Sequence, residues 1–120
     1  MKRNFLATGL LLLLATLASA ADLTGKWQGS FNFNEQAVPL TFDLKGGSDV
    51  TGTVSGLPSG VAQIKEGKLE GENLTFWLMT EYQGNPIKLV YRGKVSPGEI
   101  KFEFGTEDGS WGTQLVAKKV

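Results

Sequence analysis

Beyond an apolar N-terminal stretch, hydrophobic and polar residues alternate with period two in eight successive segments. Thr24 to Phe33 sets Trp27, Gly29, Phe31 and Phe33 on one face and Lys26, Gln28, Ser30 and Asn32 on the other. Val38, Leu40, Phe42 and Leu44 form the second inward set, and Val50, Gly52 and Val54 the third. Val61 to Glu70 is less regular. Ile64 and Leu69 share a face only if a bulge lies between them, near Glu66-Gly67. Leu74, Phe76 and Leu78 make the fifth set, followed by Ile87, Leu89, Tyr91 and Val95. Ile100, Phe102 and Phe104 are the seventh set, and Trp111, Thr113, Leu115 and Ala117 the eighth. No stretch of residues 21–120 carries a helical period.

The links are short and rich in turn formers. Lys45-Gly46-Gly47-Ser48-Asp49, Glu70-Gly71-Glu72-Asn73, Gln83-Gly84-Asn85-Pro86 and Ser96-Pro97-Gly98-Glu99 each suit a hairpin. Parallel neighbours need crossovers of about a dozen residues, for which there is no room. One register pairs Leu78 with Leu89 and Phe76 with Tyr91, and sets Trp77 opposite Val90 outside. Across the next hairpin, Val95 meets Ile100 and Gly93 meets Phe102, with Arg92 opposite Glu103 outside. The expected fold class is therefore all-β: an eight-stranded antiparallel up-and-down β-barrel, with strand eight closing on strand one. Closure hides the edges that an open sheet leaves bare. Inward Gly29, Gly52, Gly93 and Ala117 either relieve crowding inside such a barrel or line a cavity near one mouth.

The first 20 residues read differently. Lys2 and Arg3 precede an apolar run from Phe5 to Leu17, and Ala18-Ser19-Ala20 is a small-x-small cleavage site. A signal peptide over 1–20 and one β-barrel domain over 21–120 are expected, with the product periplasmic or secreted. The run is shorter than a comfortable membrane span of about 20 residues, so no transmembrane segment is expected after cleavage. Without Lys2 and Arg3 the remainder is slightly acidic, which gives no footing for nucleic acid. The chain has neither Cys nor His. Disulfides are thereby excluded, as are the commonest zinc ligand and the commonest general base. No cofactor or metal is expected.

Leu23-Thr24-Gly25-Lys26-Trp27 resembles the G-x-W opening of the first strand in calycins, the group of lipocalins, fatty-acid-binding proteins and avidins. Leu115-Val116-Ala117-Lys118-Lys119 is similar to the close of such barrels, and Val50 to Ser55 resembles an avidin strand. The resemblance implies that Trp27 closes one end of the barrel with Lys119 folded over it. It also implies a small-molecule-binding role with an apolar or amphipathic ligand. The long lipocalin helix, the lipocalin disulfides and the avidin residues for biotin are absent.

If Trp27 closes one end, the other is bounded by loops 34–37, 56–60, 82–86 and 105–110. That mouth gathers Asn34, Glu35, Tyr82, Asn85, Glu107, Asp108 and Trp111 as candidate ligand contacts. No Ser-x-x-Lys or Gly-x-Ser-x-Gly is present, and no serine has a His partner, so no catalysis is expected. Loop carboxylates such as Glu81, Glu107 and Asp108 are expected to be solvated charges rather than a glycosidase pair. Trp77, Met79 and Val90 point outward by parity, an apolar patch suited to a protein or glycan partner. The main expectation is a non-catalytic small-molecule binder. The alternative is a protein- or polysaccharide-interaction module, such as an exported enzyme inhibitor or accessory domain.

Overall fold

In the computed structural model, which describes residues 22–120, the chain is a closed antiparallel barrel without helices. The expected signal peptide over 1–20 lies outside the described residues. The strands are β1 (Gly25–Phe33), β2 (Gln36–Lys45), β3 (Asp49–Leu57), β4 (Gly60–Gln63), β5 (Lys65–Glu70), β6 (Asn73–Tyr82), β7 (Asn85–Ser96), β8 (Glu99–Thr106) and β9 (Gly112–Lys119). The sheet runs β2-β1-β9-β8-β7-β6-β5-β3-β4, and β2 also pairs with β3, which closes the ring. Short β4 and β5 are two halves of one wall strand, so the barrel is eight-stranded and up-and-down.

The irregular segment breaks where its hydrophobic spacing is irregular. Ile64 separates β4 from β5, and the β5–β6 register shifts between Lys65 and Lys68, with Glu66 at φ 52°. This bulge lets Ile64 and Leu69 both face the core. The last strand begins at Gly112, one residue later than its alternation suggests, because Trp111 O still accepts from Thr106 N (2.9 Å) within the preceding loop.

The two hairpin registers follow the parity argument: Phe76↔Tyr91, Leu78↔Leu89 and Trp77↔Val90, then Val95↔Ile100 and Gly93↔Phe102. Arg92 does stand opposite Glu103, but no ion pair forms. Glu103 accepts from Gln114 Nε2 instead, at 3.4 Å.

The interior is solid. Tyr91 lies between Phe76 (centroids 4.7 Å, 17°) and Phe104 (4.5 Å, 7°). Phe42 stacks on Phe102 at 4.7 Å and meets Tyr91 edge-on. Such pairs add to the burial of large apolar rings. Inward Gly29 and Gly93 leave no room for a side chain inside the barrel. A Cβ on Gly93 would stand 2.8 Å from Ile100 Cγ2 and 2.9 Å from Phe102 Cε1. One on Gly29 would collide with Val116 O and Leu115 Cδ1. The wall has moved inward at both points until neighbouring side chains filled the space.

At one end Trp27 is buried and its Nε1 donates to Leu23 O at 3.0 Å. Lys119 Nζ stands 5.2 Å from the Trp27 ring centroid and donates to Thr24 O at 3.0 Å. Gly25 makes this possible. Its φ is 137°, and a Cβ there would lie 2.7 Å from Lys119 Cε. The G-x-W pattern thus has a local cause: the lysine stem crosses the backbone where a side chain would stand.

Candidate functional site

The opposite mouth is built by three hairpin ends. In β1 the inward parity that buries Trp27 continues to Phe31 and Phe33, which are half-buried because the barrel ends there. Asn34 and Glu35 then reverse the chain with φ of 52° and 66°. Positive φ at both central residues is the two-residue hairpin geometry that matches strand twist. Asn tolerates it, but Glu35 is strained there. Gln83 (φ 53°) and Gly84 (φ 84°) make the same turn between β6 and β7. Both turns throw an aromatic residue to the rim, Phe33 from one and Tyr82 from the other.

Those rings meet. Phe33 and Tyr82 centroids are 5.9 Å apart, Phe33 and Trp111 5.9 Å, and Phe31 and Trp111 6.1 Å, all edge-to-face. Phe104 joins Trp111 at 5.9 Å and carries the contact into the core stack. Tyr82 keeps 40% of its surface exposed. An aromatic lid, polar at its edge, therefore covers the mouth.

Trp111 is held by its own loop. Its N–H donates to Thr106 Oγ1 at 3.1 Å, and Thr106 Oγ1 donates to Asp108 Oδ1 at 2.9 Å. Ser110 N also donates to Asp108 Oδ1, at 2.9 Å. Hydrogen bonds from Ser110 first, then Thr106, hold the Asp108 carboxyl below its ordinary pKa of 3.8. Across the mouth, Thr80 is a buried polar side chain whose hydroxyl pairs with Ser59 Oγ at 2.8 Å, tying the β3–β4 turn to β6.

Of the residues expected at the mouth, the structure brings Tyr82 and Trp111 together through Phe33. Asn34, Glu35 and Asn85 lie exposed on the surrounding turns. The two acidic residues of loop 105–110 part company. Glu107 turns to the outer wall and bridges Lys88 at 3.0 Å, while Asp108 turns into its own loop. Phe33, Thr80 and Ser59 were not singled out from the sequence as mouth residues. Phe33 was legible as an inward position, but pairing across the mouth requires the closed ring. Among the described residues no group of three or more Asp or Glu side chains is placed to hold a metal ion.

The outer patch is partly covered. Trp77 is half-buried, with Lys88 Nζ 4.4 Å from its ring centroid, and Val90 beside it is half-buried. Met79 is 45% exposed. Lys88 thus serves Glu107 and Trp77 together. Two open depressions mark the outer wall. One, of about 1050 Å³, crosses β7, β8, β9 and β1. The other, of about 470 Å³, lies beside loop 105–112. No helix among the described residues is long and apolar enough to cross a membrane.

The barrel is compatible with a calycin-like build. Comparison of the chain with family models, curated proteins and solved structures gave no match.

Proposed function

We propose that this chain is an exported, non-catalytic binding protein of calycin-like build, which holds an apolar or amphipathic ligand on its aromatic mouth. The observation that carries the reading is the convergence of Phe33, Tyr82 and Trp111, from three separate loops, at one end of the barrel. A ligand there lies on the rings rather than inside the barrel, because the stacked core fills the interior. The Tyr82 hydroxyl, the Asn34 and Asn85 amides and the exposed Ser59 hydroxyl offer polar groups around apolar surface, as small-molecule sites require.

The test is a titration of the mature protein with fatty acids, retinoids and short glycans, followed by tryptophan emission and melting temperature. Ligand at about 100 times its dissociation constant stabilises by about 2.7 kcal/mol. Trp111→Ala should abolish the shift for the ligand that binds. No shift with any member of the panel would refute the reading.

The solid interior also favours a second reading, an interaction module that meets a protein or polysaccharide through the Trp77–Met79 face. Trp77→Ala would then weaken capture of the partner, whereas Trp111→Ala would not.

A further inference from the structure

We infer that the larger outer depression is a second binding site, for an extended acidic segment of a partner polypeptide. It is separate from the mouth and from the Trp77 face. The depression lies where the wall dips over Gly29 and Gly93. Neither glycine has an inward side chain, so the backbone has sunk onto Leu115, Ile100 and Phe102. The outer wall is dented there, in a depression open to solvent.

Register fixes what stands along the depression. Asn73 is opposite Lys94, Lys94 opposite Lys101, and Lys101 opposite Val116. Across the seam between β9 and β1, Ser30 stands opposite Pro39. This row crosses six strands. Followed along the curved sheet at ~4.8 Å per strand it is roughly 24 Å long, the contour length of about seven extended residues.

Charge selects the occupant. Lys94 and Lys101 face each other directly, a like-charge pair that opposes sheet formation. Arg92 and Lys118 flank them, and Glu103 is the acidic residue of the lining. Lys94 and Lys118 reach outward to Glu72 and Glu99 at 3.1 Å each, ion pairs whose lysines are exposed and can be exchanged by a ligand. Lys101 has no ion-pair partner among the described residues. An acidic ligand relieves the repulsion and is steered by it.

At the seam the two strands stay close. The β9–β1 ladder ends at Gln28↔Lys118. Val120 N donates to Lys26 O, so even-numbered peptide groups of β1 turn toward β9. Lys119 N donates to Gly98 O, so even-numbered groups of β9 turn toward β1. The peptide groups of Ser30 and Val116 therefore face each other across the seam, with Val116 O packed against Gly29. Val116, 42% exposed, and Pro39 add an apolar floor. No exposed aromatic ring lines the depression for a sugar to stack on. An acidic peptide with interspersed apolar residues meets both the charge and the apolar floor.

The test uses an acetylated peptide of alternating Glu and Val, about eight residues long, with its Lys-Val counterpart and an oligogalacturonate as controls. Binding to the mature protein is followed by amide chemical shifts at low salt. The acidic peptide should bind with Kd below about 1 mM and shift the Ser30, Lys101 and Val116 amides. Lys94→Glu with Lys101→Glu should weaken it at least ~tenfold at unchanged melting temperature, and Val116→Asp should do likewise. Trp111→Ala and Trp77→Ala should leave it unchanged, so failure here is separate from failure of either reading above. No binding up to about 1 mM, equal binding of the Lys-Val peptide, or binding that survives both variants would overturn the proposal. Tighter binding of the oligogalacturonate would overturn the peptide assignment.

Discussion

Replacing Tyr91 by Phe should make the protein more stable, although it deletes a polar group from the centre of the core. Tyr91 is fully buried, and its hydroxyl has no hydrogen-bond partner in the protein. The ring is held by stacking on Phe76 and Phe104 and by edges from Phe42 and Phe102, all of which Phe retains. A buried, unsatisfied hydroxyl costs about 1–3 kcal/mol of desolvation. Its removal leaves a gap of about one oxygen atom, which at ~24 cal/mol per Å³ costs a few tenths of a kcal/mol. The net gain is about 1 kcal/mol, or roughly 4–8 °C in Tm for a domain of this size. Urea melts of both proteins measure it, with equal m-values confirming that only stability has changed.

The same substitution has a pH signature. Burial pushes the Tyr91 hydroxyl well above its ordinary value of 10.0. Above that ordinary value the unfolded chain releases the proton and the folded chain does not, so stability falls as the pH rises. Tyr91→Phe should remove this part of the alkaline loss, and the advantage of the variant should therefore grow with pH. A variant less stable by about 1 kcal/mol or more at neutral pH would refute the reasoning. It would mean that the hydroxyl is satisfied in the folded protein.

Trp27→Ala should cost about 3–5 kcal/mol in denaturant melts, since it empties the closed end and leaves Lys119 without its ring; a loss under ~1 kcal/mol would show that Trp27 does not close the barrel. Glu35→Gly should stabilise by about 1 kcal/mol, because the β1–β2 turn needs positive φ at both central positions; a loss would mean that the Glu35 side chain makes a contact that outweighs the strain. Asp108 should tie down Trp111 at neutral pH and release it in acid. Its folded pKa lies below 3.8, so the loop contact is complete above that value and is lost as the pH falls through the lower one. Emission of Trp111, in a variant with Phe at 27 and 77, should change only in that acid range, and a transition above about pH 5 would assign it to another group.

Alternation alone determined most of the wall. Phe76, Leu78, Leu89 and Tyr91 on one face, and Trp77 and Val90 on the other, leave one register for β6 and β7, because a slip by one residue would turn every apolar side chain to water. The five-residue spacing from Ile64 to Leu69 located the bulge for the same reason. The Gly25–Trp27 pattern and the chain's end marked the strands whose meeting sets Lys119 over the indole. Tertiary structure alone decided what the inward glycines do. A missing side chain permits either a void inside or an inward shift of the wall, and close packing with Ile100, Phe102 and Leu115 selects the shift. The space that the cavity reading would set inside the barrel lies outside it, as the depression over β7 to β1. The mouth depended on closure too. Phe33, Tyr82 and Trp111 are far apart along the chain and fall on three hairpins. Only a ring of fixed circumference brings their edges together, and no local pattern encodes a distance across that ring.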